Sequence, residues 1–369
     1  MVRKILIYLL LQISSVNGTC PLYDMTKSFE ENSKNSLSFH NTQQLPVIGD
    51  SEKRSFLGYQ LASPIGIPAC AIMTGKGIAS AARRGFNVLT YKTVCSAHVH
   101  SYPSPNICYI TCAEQLTQED IGKTVYATTT MPEDVRSIAI SNSLGNPSDD
   151  PAWVQHDIAY ARSMLQAGQI LIVSVFGQGS EIDAIAHDFA FTAQMAYAAG
   201  AHIIELNLSC PNVRHGFFYK NPDIVHTIVQ SVHAVIPIPI ILKVGVFDSK
   251  EQMKEIFQTA AAAGSRGICG INSVPVHVID EQENPFFGIE RATSGLSGAP
   301  IRNLARQFII DAREIITTNN LDLALLATGG ITSPEHFEEF LSLGADVALS
   351  GTGAMWDPYL AYRYHQKIY

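Results

Sequence analysis

Short runs of β-branched and other apolar residues recur along the chain, each followed by a stretch with apolar positions at helical spacing. The runs predict strands at 65–70, 88–93, 170–175, 202–208, 238–244, 267–272, 323–327 and 347–350. Helices are predicted between them at 77–84, 152–167, 182–198, 222–235, 250–263, 300–317 and 334–343, with a last one at the end of the chain. The strand runs are apolar throughout instead of alternating, as expected for a parallel sheet covered on both faces. Eight such units predict an α/β fold of the (β/α)8 TIM-barrel type, with a doubly wound open sheet as the alternative. Two segments interrupt the alternation, 94–150 after the second strand and 273–298 after the sixth, and are read as insertions. No internal repeat, low-complexity tract or Pro/Gly-rich linker divides the rest, so 64–369 is expected to be one catalytic domain behind a short lead, 21–63.

Composition narrows the classes. Of the 369 residues 46% are hydrophobic and 16% charged, which excludes a disordered chain. A formal net charge of −8 argues against a nucleic-acid partner, which calls for a basic stripe. Seven cysteines, an odd number with no C-x-x-C spacing, argue against a disulfide scaffold and a structural zinc site, and no metal is expected. Arg3 and Lys4, the apolar run 5–11 and Val16-Asn17-Gly18 fit a secretory signal peptide and are too short for a membrane span. Residues 1–20 are therefore set apart as a signal-like segment, an upstream extension or a surface anchor. A cytoplasmic protein is expected, with export or membrane association as the alternative.

In such a barrel the chemistry lies at the C-terminal ends of the strands. Those positions hold Ala69-Cys70-Ala71, Lys92-Thr93, Ser174, Asn207 through Asn212, Lys243, Asn272-Ser273, Thr328-Gly329-Gly330 and Gly351-Thr352-Gly353. One end of the ring thus collects two lysines, several asparagines and a cysteine. Polar groups ending apolar strands are costly unless a ligand or partner satisfies them, and the two lysines point to an anionic ligand. Gly329-Gly330 leads into a helix begun by Thr332 or Ser333, with Pro334 in its first turn and Glu335 placed for a capping box. With Gly351-Thr352-Gly353 it forms the pair of glycine turns, after strands seven and eight, that can cradle a phosphate. Cys210 is expected on an exposed loop over the mouth, where an accessible thiolate can act as acid, base or nucleophile. A packing role is the plainer alternative, as it is for the other six cysteines.

The stretch Glu205-Leu206-Asn207-Leu208-Ser209-Cys210-Pro211-Asn212-Val213 resembles the catalytic loop of dihydroorotate dehydrogenases, in the class 1 form with a cysteine base. Ser141-Asn142-Ser143-Leu144-Gly145, Tyr91-Lys92-Thr93, Leu242-Lys243-Val244, Ile271-Asn272-Ser273, Ser294-Gly295-Leu296-Ser297-Gly298, Ala327-Thr328-Gly329-Gly330 and Ser350-Gly351-Thr352 are similar to further family motifs, in family order from about residue 64 to the C-terminus. The resemblance implies an FMN enzyme that oxidises dihydroorotate to orotate in pyrimidine synthesis. It implies Cys210 as general base, with a hydride passing from the adjacent ring carbon to the flavin. It implies Asn142, Asn207, Asn212, Asn272 and Ser273 on the pyrimidine's amide edges and the backbone of Leu144, Gly145 and Asn146 near the carboxylate. Lys92 is placed between substrate and flavin, and Lys243 beside the isoalloxazine, where it stabilises negative charge. Ala69, Cys70, Thr93, Ile271, Gly298, Gly329, Gly330, Gly351 and Thr352 are expected to line FMN, with Asn207 also reaching it.

The class 1 pattern further implies a homodimer and favours fumarate as electron acceptor over a quinone or an NAD-linked partner subunit. The chain differs from that pattern at 101–106, at Arg214-His215-Gly216-Phe217 and at Ala71, which touch the flap and the FMN rim. The competing readings are a flavin-dependent dihydropyrimidine or dihydrouridine oxidoreductase and a catalytically silent barrel that holds flavin or phosphate.

Overall fold

The computed structural model describes residues 21–35, 46–112, 114–209 and 217–367. Fifteen strands follow in chain order: β1 (Arg54–Phe56), β2 (Tyr59–Leu61), β3 (Ile65–Ile67), β4 (Val88–Val94), β5 (Ile107–Thr111), β6 (Thr124–Thr128), β7 (Ala139–Asn142), β8 (Ile170–Val175), β9 (Ile203–Asn207), β10 (Ile240–Lys243), β11 (Gly267–Gly270), β12 (Val274–Ile279), β13 (Thr293–Gly298), β14 (Ala324–Thr328) and β15 (Val347–Leu349). The helices are α1 (Phe29–Asn35), α2 (Gly75–Arg83), α3 (Pro151–Ser163), α4 (Ile182–Ala198), α5 (Pro222–His233), α6 (Lys250–Ala263), α7 (Arg302–Thr318), α8 (Pro334–Ser342), α9 (Thr352–Trp356) and α10 (Leu360–His365).

Eight strands, β3, β4, β8, β9, β10, β11, β14 and β15, pair in parallel and close on themselves as the predicted barrel. Every strand side chain of β4, β8, β9 and β10 is buried, so these runs read as continuously apolar, with one face against the helices and one inside the ring. Alternation sorts the two faces. Val88, Ile172, Ile203, Ile241, Leu326 and Leu349 form an apolar plug inside the ring, sealed below by Phe56 and Leu61 of the β1–β2 hairpin. Further along the same inward rows stand Lys92, Asn207, Lys243 and Thr328. The barrel is therefore oily at its floor and polar at its mouth.

The insertions differ from the sequence expectation, which left them without strands. β5, β6 and β7 come from the first and β12 and β13 from the second, and the five close into a second ring, β12-β13-β7-β5-β6. β12 pairs in parallel with β6 and β13 antiparallel with β7, so neither insertion completes the ring without the other. The segments are short, β12 alternates around Pro275 and β13 carries glycines, so local periodicity carries little signal.

A second difference concerns the turn before α8. Ser333 caps the helix, but its Oγ meets His336 Nδ1 at 3.0 Å and bonds no helix N–H, while Thr332 Oγ1 donates to Arg136 O at 2.7 Å. The expected capping box with Glu335 does not form, because the imidazole one turn on engages the serine.

Candidate active site

The main cavity lies over the C-terminal ends of the barrel strands and holds about 1250 Å³ of empty space, open solvent included. Strand ends and the loops that follow them supply most of its wall. The second ring closes the far side with Ile107, Ile140, Asn142, Ser297 and Gly298. The lead also reaches in: Leu22 N donates to Met355 O at 2.7 Å, Tyr23 Oη to Asn106 Oδ1 at 2.9 Å, and Phe29 at the start of α1 lines the cavity.

One rim carries a hydrogen-bonded chain of polar side chains. Asn207 Nδ2 donates to Thr93 Oγ1 at 3.1 Å, and Thr93 Oγ1 lies 3.1 Å from Ser174 Oγ. Asn272 Nδ2 reaches Asn207 Oδ1 at 3.4 Å and also the backbone carbonyl of Ser209, while its own Oδ1 accepts from Ser273 N at 2.8 Å. These bonds fix the direction of each amide, so the donors and acceptors left over face the cavity in a set pattern. Asn272 also anchors the start of the 210–216 stretch through Ser209. Cys210 and Asn212 lie in that stretch, outside the described residues.

The two lysines occupy different fields. Lys92 Nζ is buried, donates to the carbonyls of Pro147 and Thr93, and lies 6.0 Å from the centre of the Phe29 ring. Burial pushes its pKa down. Burial acts on Lys243 in the same sense, but Cys269, Glu205 and Cys70 around it reverse the sign and its pKa is raised. Burial lifts the Cys95 thiol to about 11 and the Cys108 thiol to about 12, and raises Cys269 as well. Cys95 and Cys108 are packing cysteines, as the plainer sequence reading had it, whereas Cys269 pairs in register with Lys243 and meets Glu205.

Ala69, Cys70, Lys92, Thr93, Asn142, Leu144, Asn146, Asn207, Lys243, Ile271, Asn272, Ser273, Gly298, Gly329, Gly330, Gly351 and Thr352 all line this one cavity. Gly145 does not; it sits between Leu144 and Asn146 at φ 79° with the Tyr102 ring 3.0 Å from where a Cβ would stand. Asn146 is itself left-handed at φ 54°, and its buried Nδ2 has no hydrogen-bond partner. Among the described residues, the N–H groups of Gly330, Gly351, Thr352 and Gly353 find no acceptor. A site with unused donors of this kind suits a phosphate and a carboxylated ring, and the cavity has room for a tricyclic cofactor with a substrate.

Sequence reasoning missed Glu205, Phe29, Ile107, Ile140 and Ser297. Glu205 was visible in principle, as a charge inside an apolar run two residues before Asn207. Nothing local marks Phe29 or the second-ring residues.

Known proteins are similar to this chain in sequence and in fold. The family model described as dihydroorotate dehydrogenase matches residues 52–369. A protein named dihydroorotate dehydrogenase from Dictyostelium discoideum is 40% identical over 359 residues, covering 94% of this chain and 97% of its own length. The dihydroorotate dehydrogenase A (fumarate) of Limosilactobacillus reuteri is 32% identical over 170 residues, 45% of this chain and 52% of that protein. The catalytic subunit of dihydroorotate dehydrogenase B (NAD(+)) from Listeria monocytogenes serotype 4b is 29% identical over 210 residues, 56% of this chain and 65% of that protein. The crystal structure of DHODH in complex with ferulenol from Eimeria tenella has the same fold, with a TM-score of 0.69 at 16% identity, covering 91% of this chain and 87% of that one. The chain belongs to the dihydroorotate dehydrogenase family.

Proposed function

We propose that the protein oxidises dihydroorotate to orotate in pyrimidine synthesis, using FMN held at the barrel mouth. The observation that carries this reading is the ordered amide chain Asn207–Asn272, which flanks buried Lys243 and shares the barrel mouth with buried Lys92, in a chain of this family. Asn142, Asn207, Asn212, Asn272 and Ser273 hold the ring by its alternating N–H and C=O edges, and Leu144, Gly145 and Asn146 fix its carboxylate. Gly329, Gly330, Gly351 and Thr352 receive the cofactor's phosphate through backbone N–H groups, with Ala69, Cys70, Thr93, Ile271 and Gly298 along its length. Bound FMN supplies the acceptor for the hydride that leaves the ring.

Cys210 removes the proton from the neighbouring ring carbon, so that no free carbanion has to form. Lys92 orients the substrate against the cofactor, and Lys243 offsets the negative charge that reduction brings. The second ring and Phe29 keep bulk water from the reacting face.

Fumarate is the acceptor we favour, on the strength of the match to the fumarate-named relative, in a homodimeric cytoplasmic enzyme. Among the described residues no helix is long and apolar enough to cross a membrane. Purified protein is expected to show a flavin spectrum and to form orotate from dihydroorotate with fumarate present. Orotate formed with NAD and not with fumarate would reassign the acceptor, and no orotate with any acceptor would reject the function.

A further inference from the structure

Glu205 stands out among the residues around the cavity. It is the acidic side chain of the described lining, against two lysines. It is fully buried, at 0% exposure, and neither carboxyl oxygen meets an N–H or O–H donor, its polar neighbour being the Cys269 thiol. A carboxylate in that situation costs several kcal/mol unless something nearby repays it. The amide chain above it is satisfied without it, since Asn207 turns to Thr93 and Asn272 to Asn207 and Ser209. A thiol is a weak donor and does not by itself explain why this inward position is an acid.

Register shows what it faces. On β9, Glu205 lies one inward step below Asn207, which pairs with Lys243 of β10. Lys243 pairs on its other side with Cys269 of β11. The groups with an electrostatic hold on Lys243 are Cys269, Glu205 and Cys70, while Lys92 on β4 is turned to the carbonyls of Pro147 and Thr93. Burial also pushes the Cys269 thiol up, and a thiol is a much weaker acid than a carboxyl group. Cys70 lies at the exposed rim, where water screens it. Glu205 is the carboxyl group of the three, and it is fully buried on the inward row next to that of Lys243.

We propose that Glu205 is a positioning residue, the buried counter-charge of Lys243, and that through Lys243 it sets the field that the bound flavin meets. The flavin half of this statement rests on the function proposed above; the pairing of the two side chains does not. Without Glu205, desolvation acts on Lys243 with less to oppose it and the ammonium gives up its proton more readily. The cofactor is then reduced next to a neutral amine that must take up a proton as negative charge arrives. The signature is an extra proton bound per two electrons.

Two measurements test this. In the FMN-loaded protein, the midpoint potential is followed against pH for wild type and Glu205→Gln. The variant is expected to fall below wild type as pH rises, the reduction equilibrium weakening a further tenfold per pH unit, about 30 mV for a two-electron couple, while Lys243 titrates. In a Lys243→Met background the same Glu205→Gln change is expected to leave the two lines parallel. Coincident or parallel lines in the native background, or a potential that rises, would overturn the proposal.

The second measurement needs no flavin. In thermal melts of the apoprotein, Glu205→Gln and Lys243→Met are each expected to melt below wild type, and the double variant, which removes both charges, above the less stable single one. If Glu205→Gln does not fold, the double variant still should. A double variant no better than the worse single one would overturn the pairing. Protein that shows the melting pattern but binds no FMN would reject the proposed function and leave the pair standing.

Discussion

Lys92 and Lys243 are the same residue type, both fully inside the molecule, and the structure drives them in opposite directions. Lys92 is neighboured by carbonyls and an aromatic ring, so burial dominates. Lys243 has Cys269, Glu205 and Cys70 around it, and its pKa is raised. On the function proposed above, the difference suits Lys243 to standing charge and Lys92 to orientation by hydrogen bonds. Removing Lys243 is therefore the more damaging change for the cofactor: Lys243→Ala is expected to weaken FMN retention by about 10- to 100-fold, the worth of a charged contact, as read by fluorescence of released flavin. Unchanged retention and unchanged flavin reduction would contradict the role given to it. At this scale the sequence was informative wherever a polar residue ended an apolar run, which marked Lys92, Asn207, Lys243 and Asn272. It was silent where a residue reaches the cavity from elsewhere in the chain, as Phe29 does.

The elements show the same contrast. Eight continuous apolar runs, each followed by a helix, spell a closed parallel ring because only burial on both faces tolerates such runs. The second ring has no comparable signature. Its stability comes from pairing β12 and β13 with β6 and β7 across some 150 residues of chain, information that no local window contains. Gly298 joins the two systems. It ends β13, lines the cavity and adopts φ 99°, and a Cβ there would stand 2.1 Å from the Ile138 carbonyl oxygen at the edge of β7. Gly298→Ala is therefore expected to cost roughly 2–4 kcal/mol in chemical denaturation and to loosen cofactor binding as the second ring shifts from the mouth. Wild-type stability in that variant would show that the two sheets are not tightly registered.

Across the whole molecule, two half-buried histidines, His202 and His336, make stability depend on pH. Burial, assisted by Arg162, lowers His202 to about 4, and its Nδ1 accepts a hydrogen bond from Leu171 N at 2.9 Å. Burial, assisted by Arg302, likewise lowers His336 to about 4 beside the α8 N-terminus. Both are held neutral in the fold, whereas in the unfolded chain they titrate near 6.5. The unfolded state thus binds more protons on these groups, and their contribution, complete above pH 6.5, is lost as pH falls towards 4. The denaturation midpoint is expected to decline over that window, and His202→Gln should make the decline shallower. A flat profile from pH 7 to 4 would contradict the neutral, half-buried placement.

In the proposed reaction, the mouth of the barrel is where a ring proton and a hydride are parted. The most direct test is anaerobic rapid mixing of the flavin-loaded protein with dihydroorotate, followed at the flavin absorbance band, for wild type and Cys210→Ala. Wild type is expected to bleach within a single turnover. Cys210→Ala should stay yellow on mixing and bleach about 100- to 10,000-fold more slowly, the loss expected for a general base. Equal rates in the two proteins, or a wild type that does not bleach at all, would contradict the account.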